Sequence, residues 1–132
     1  MEKTLLIVDD APIMRRIIHD YAEADGWTVV AEAANGKEAA ECYARFLPHA
    51  VTLDLVMPDF DGLYALREIV GRHSRAKVVV VSALNQKSVL AEAFRLGAAD
   101  FVIKPFDRSR LVDTLQHLIE PLHGVSSSSK PQ

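Results

Sequence analysis

A layered α/β fold on one parallel sheet follows from three features of the sequence. Short apolar runs rich in β-branched residues recur along the chain, at Leu5–Val8, Trp27–Ala31, Ala50–Leu53, Val78–Val81 and Phe101–Ile103. Stretches of helical periodicity separate them. The runs themselves carry little polar alternation, and 78–81 is valine throughout. Continuous apolar runs suit strands covered on both faces, the condition inside a parallel sheet. Five strand–helix units with right-handed crossovers are therefore expected.

Each expected helix shows a stripe at spacings of three and four, which places its members on one face. The first carries Ile17, Ile18, Tyr21 and Ala22, and the second Ala39, Ala40, Tyr43 and Phe46. The third carries Leu63, Leu66, Ile69 and Val70, the fourth Val89, Ala93 and Leu96, and the fifth Leu111, Leu115, Leu118 and Ile119. Gly26 and Gly97 stand where helices should stop, and Asp61 and Asp107 where helices should start. Trp27 and Cys42 read as core or near-core. Val89, Leu90 and Phe94 read as core or as a docking patch. The last residues, His123 to Gln132, include four consecutive serines and nothing to bury. The expected organisation is a domain over 1–122 and a disordered serine-rich tail over 123–132.

The chain has 132 residues, 49% of them hydrophobic, which is one ordinary domain with material for a core that needs no staple. Its one cysteine, Cys42, cannot form an internal disulfide and fits a reducing compartment. The opening apolar run is too short for a secretory signal, and no run approaches the roughly 18 residues that span a bilayer. A cytoplasmic protein without membrane insertion is expected. With 15 basic and 18 acidic residues the net charge is −3, and no long basic run is present, which disfavours nucleic acid as a partner. The histidines, His19, His49, His73, His117 and His123, show no paired metal spacing and read as surface residues. Ser82 lies outside any nucleophile elbow, and no glycine-rich phosphate loop follows the first strand.

In a parallel open sheet, ligands bind beyond the carboxyl ends of the strands. After the first strand come Asp9 and Asp10, after the third Asp54, after the fourth Ser82, and after the fifth Lys104-Pro105. Each has an ordinary reading alone: a helix cap, turn chemistry, a chain reversal. Their conjunction at successive strand ends brings three carboxylates, a hydroxyl and an ammonium to one rim. Crowded carboxylates repel, so without a cation at least one should hold its proton more tightly than usual. Mg2+ favours such oxygen ligands and keeps several waters. A metal so held, with Lys104 and Ser82, suits the charge of a phosphoryl group in transfer.

These residues resemble the receiver domains of response regulators, and within them the CheY-type chemotaxis regulators. The likeness runs through Ile7-Val8-Asp9-Asp10, Met14-Arg15-Arg16, Ala34-Asn35-Gly36, Asp54-Leu55-Val56-Met57-Pro58, Asp61-Gly62, Val81-Ser82-Ala83 and Lys104-Pro105-Phe106. The resemblance implies a doubly wound, flavodoxin-like sheet in strand order 2-1-3-4-5. It implies that Asp54 is the phosphoacceptor, with Ser82 and Lys104 contacting the phosphoryl oxygens. It implies Mg2+ bound directly by Asp10, Asp54 and the Val56 carbonyl with Asp9 helping through water, a switch residue at Phe101 where many chemotaxis members have tyrosine, and a cis Lys104–Pro105 bond. A sensor histidine kinase is the implied donor, and a flagellar motor switch protein and a separate phosphatase are implied partners of a monomer. The chain would be an enzyme only toward its own phosphorylation and dephosphorylation. Four readings compete: a phosphorelay intermediate, the receiver portion of a longer regulator, a small phosphatase with Asp54 as nucleophile, and a flavodoxin-like electron carrier. The phosphatase lacks a second acid at Val56. The flavin carrier, possible on the fold alone, would need a hydroxyl-bearing phosphate loop where Asp9 and Asp10 stand.

Overall fold

The computed structural model describes residues 2–58 and 61–120. The expected tail, 123–132, lies outside the described residues. Five strands and five helices alternate along the chain: β1 (Thr4–Val8), α1 (Pro12–Ala24), β2 (Thr28–Ala33), α2 (Gly36–Phe46), β3 (Ala50–Leu53), α3 (Gly62–Arg72), β4 (Val78–Ser82), α4 (Lys87–Arg95), β5 (Asp100–Ile103) and α5 (Arg108–Ile119). All strand pairs are parallel, in the order β2-β1-β3-β4-β5. The expected architecture is the observed one.

Strand polarity divides the interior in two. Along β1, Leu6 and Val8 join one cluster, with Ala39 and Tyr43 of α2, Ala65, Leu66 and Ile69 of α3, and Ala93 of α4. Leu5 and Ile7 join the other, with Ile18 and Ala22 of α1 and Leu111 and Leu115 of α5. Successive strand residues point to opposite faces, so one run of valine feeds both cores. Val78 and Val80 belong to the first, Val79 and Val81 to the second.

Local chemistry sets the element ends. Gly26 (φ 90°) and Gly97 (φ 114°) take the left-handed turn that closes α1 and α4. Asp61 accepts a hydrogen bond from the Tyr64 N–H and Asp107 one from the Arg110 N–H, capping α3 and α5 as expected. Asn35 caps α2 in the same way through the Glu38 N–H, while Glu38 accepts from the Ala34 N–H.

Four strands differ at an end from the sequence reading, the first of them β1, which begins at Thr4 rather than Leu5. β2 begins after Trp27 and runs on through Glu32 and Ala33, which pair with Ile7 and Val8. A register shift between Leu5 and Leu6 absorbs an extra residue in this edge strand. β4 includes Ser82, which pairs with Ile103, and β5 begins at Asp100. Phe46, expected on the buried stripe of α2, is 41% exposed because Leu47 (φ 45°) ends the helix there, and its ring lies under the Arg45 guanidinium. Trp27 is buried and Cys42 half-buried, as expected. His49 is exposed yet bonded to Thr4, and His73 lies against Tyr43.

Thr52 stands in the middle of β3, fully buried, and its hydroxyl has no partner among the described residues. An orphaned buried hydroxyl carries its desolvation penalty without return. Thr52→Val keeps the branched shape and is expected to stabilise the fold by about 1 kcal/mol. Urea unfolding followed by circular dichroism checks it, and a loss of stability would show that the hydroxyl is bonded.

Candidate functional site

The carboxyl ends of β1, β3, β4 and β5 supply one rim. Parallel pairing in register carries the residues after β1 and β3 to the same height, since Val8 pairs with Leu53 and the Asp54 N–H donates to the Val8 carbonyl. Asp9, Asp10 and Asp54 each present a carboxylate oxygen, and these oxygens lie within 4.8 Å of one another. Asp9 and Asp54 are buried and Asp10 is exposed.

Each buried acid is held by backbone and by charge. Asp9 Oδ1 accepts from the Ala11 N–H (2.9 Å), and Asp54 Oδ1 accepts from the Val56 N–H (3.2 Å). Lys104 Nζ sits 2.6 Å from Asp9 Oδ2 and 3.4 Å from Asp54 Oδ2, one ammonium shared between two carboxylates. Ser82 is buried at the end of β4, and its hydroxyl accepts from the Leu84 N–H (3.3 Å). The Lys104–Pro105 bond is cis, as expected.

The Asp54 carboxyl is pushed above the ordinary carboxylate range. Burial is the largest cause. The Val56 N–H and Lys104 oppose it, Asp9 adds repulsion, and the Ser82 hydroxyl opposes again. A raised value was expected from crowding alone, but desolvation outweighs the neighbouring acid.

The donor set fits a hard divalent cation. It is all oxygen, it carries excess negative charge despite Lys104, and through exposed Asp10 it is open to the waters that Mg2+ retains. Asp9, Asp10 and Asp54 are the residues that would hold it. Val56 follows at the rim, 54% exposed, with Leu84 half-buried. Phe101 is half-buried against the first core, edge-on to the exposed ring of Phe94 with centroids 5.9 Å apart. The expected site residues on the acidic rim thus come together, and Phe101 stands apart from them on β5.

Two contributors were not visible in the sequence reading as site residues. Gly62, at the start of α3, lies so close to the phosphoacceptor candidate that a Cβ there would sit 2.2 Å from the Asp54 carbonyl oxygen. Only glycine lets the helix approach, and its N–H donates to the Leu55 carbonyl. Glu32, on the prolonged end of β2, pairs with Arg15 of α1, whose guanidinium also donates to the Asp9 carbonyl. A glycine after Asp61 and a lone acid in an apolar strand were the available signals.

Residues 5–116 match the family described as the response regulator receiver domain. The chain is 44% identical over 115 residues to the chemotaxis protein CheY of Thermotoga maritima, covering 87% of this chain and 96% of that protein. It is 42% identical to the chemotaxis protein CheY of Bacillus subtilis over the same shares. Among solved structures it resembles a chain of the CheX–CheY–BeF3–Mg2+ complex from Borrelia burgdorferi, with a TM-score of 0.87 and 28% identity over 90% of each chain.

The Asp54 shift has a consequence for stability in metal-free buffer. The folded state binds the Asp54 proton more tightly than the unfolded chain does. Its contribution is therefore complete below the unfolded carboxylate pKa of about 4 and is lost as pH rises through the folded value. Asp54→Asn is expected to stabilise the protein at pH 7, with the gain vanishing below about pH 4. Urea midpoints from pH 3.5 to 8 in chelator, about half a unit apart, check the sign.

Proposed function

This chain belongs to the response regulator receiver domain family of two-component signalling proteins, and we propose that it works in chemotaxis as a phosphorylation switch with Asp54 as phosphoacceptor. One observation carries the reading: three carboxylates lie within 4.8 Å of one another with an ammonium bridging two of them, an arrangement with little structural purpose unless a cation and a phosphoryl group complete it. The kinship with chemotaxis proteins at 42–44% identity supports the pathway. It supports a histidine kinase as donor, a flagellar motor switch protein as receiver of the signal, a phosphatase acting in trans, and a cytoplasmic monomer.

The chain's own groups account for the chemistry. A carboxylate oxygen of Asp54 attacks phosphorus in line with the leaving imidazole of a phosphohistidine. The P–O bond forms as the P–N bond breaks, and the imidazole keeps the bonding pair. Burial raises the basicity of Asp54, so its lone pair is a better nucleophile than that of a solvated carboxylate. Lys104 exchanges part of its contact with Asp9 for the incoming phosphoryl oxygens, and the Ser82 hydroxyl donates to another. Mg2+ held by Asp9, Asp10, Asp54 and the Val56 carbonyl would neutralise charge on the transferring group. The protein promotes only its own phosphorylation from a phosphodonor and its own dephosphorylation by water.

Ser82 is paired with Ile103 in the sheet, so a shift of Ser82 toward the phosphoryl group moves β4 against β5. Phe101 and Phe94 then reorganise on the face formed by α4, β5 and α5, where Arg110 donates to the Phe101 carbonyl at 2.9 Å. A swing between mostly inactive and mostly active populations needs about 3–5 kcal/mol, within reach of two new charge-assisted bonds.

Acetyl phosphate with Mg2+ is expected to add one phosphoryl mass to the wild type and none to Asp54→Asn; equal labelling of both would remove Asp54 from the role. Val56 and Leu84, both apolar, flank the acyl phosphate and obstruct an attacking water. Replacing them together by Asn and Glu is expected to shorten the phosphorylated lifetime by about tenfold, a barrier change of about 1.4 kcal/mol. Phosphate release after removal of donor measures it, and an unchanged lifetime refutes the obstruction.

A further inference from the structure

Of the three clustered acids, Asp10 is the one whose side chain is held by nothing. Asp9 and Asp54 are each bonded to a backbone N–H and to Lys104, whereas the Asp10 carboxylate has no hydrogen-bond or ion-pair partner among the described residues. Its direction is set by its own backbone, and so by the peptide that joins it to Asp9.

That peptide is gripped from one side chain. Arg15 Nη1 donates to the Asp9 carbonyl oxygen at 2.7 Å. The same guanidinium is braced by Glu32, with Nε 3.1 Å from Oε1, and the other Glu32 oxygen lies 3.5 Å from His19 Nδ1. The Arg15 side chain is 20% exposed, and its bond to the Asp9 carbonyl is part-buried, while Glu32 braces it from the exposed side. The planar fork suits two directions of hydrogen bonding at once, from α1 to the end of β1 and to β2.

We propose that Arg15 is a positioning residue for cation binding, its guanidinium fixing the Asp9–Asp10 peptide, and with it the Asp10 carboxylate, from a brace on Glu32. The inference rests on the reading of the acidic cluster as a Mg2+ site. It makes the unusual demand that a positive side chain near a cation site strengthens that site. By charge alone Arg15 opposes the cation, and its removal should tighten binding. By position its removal should weaken binding. The two effects have opposite signs.

The test is Mg2+ titration of the full chain by calorimetry, with backbone amide spectra recorded before metal is added, well below the unfolding midpoint. Arg15→Ala is expected to weaken Mg2+ about tenfold, the scale at which lost outer support costs a metal site affinity. Arg15→Lys keeps the charge but offers no planar fork, so it is expected to weaken binding as well, and it decides the question if the alanine variant does not fold. In both variants the Asp10 amide resonance should move in the metal-free protein. Binding by either folded variant as tight as wild type, or tighter, overturns the proposal while leaving the metal reading intact. A wild-type protein that does not bind Mg2+ overturns the metal reading and this proposal with it.

Discussion

One ammonium between two buried carboxylates is the constraint around which this molecule is arranged. Lys104 follows β5, and Asp9 follows β1, three positions across the sheet. Only a long, unbranched cation at the end of an edge strand spans that rim. Without it two buried acids would face each other with no counter-charge, a far larger penalty than the loss of a surface pair. The contact does not exhaust the negative charge it meets, because Asp10 remains. The rim is therefore compensated in part and open to a divalent cation.

Everything beneath the rim serves to hold these groups at one height. In-register pairing of β1 with β3 aligns Asp9 with Asp54, and inclusion of Ser82 in β4 ties the hydroxyl to the ladder. The glycine that opens α3 lets that helix close on the Asp54 peptide from below. Two separate cores press on the sheet, so the strands are fixed from both faces. The face formed by α4, β5 and α5 draws on both cores, with Ala93 of α4 in the first and Leu111 and Leu115 of α5 in the second.

Much of this was legible in the residues. The valine run named a fully covered strand, and the acids, serine and lysine were found because their places after successive strands are local facts. What escaped was set by tertiary approach. Glu32 reads as a polar residue ending a strand until Arg15 is seen beside it, and Gly62 reads as an ordinary turn residue until the Asp54 carbonyl is seen against it. Phe46 fits the helical stripe perfectly well, yet the chain leaves the helix before the sheet can cover it. The cause of the Asp54 shift was also out of reach, since crowding can be read from adjacency but burial cannot.

The placement of Trp27 has a practical consequence. It is the one indole in the chain, and it precedes β2 at the amino end of the sheet, under the Lys3 ammonium. A strand of that length separates it from the acidic rim by about 20 Å. Its fluorescence is consequently a clean gauge of whether the domain is folded and a poor witness to events at Asp54. Signalling in this protein has to be watched with a dye, an isotope or an introduced chromophore near β5.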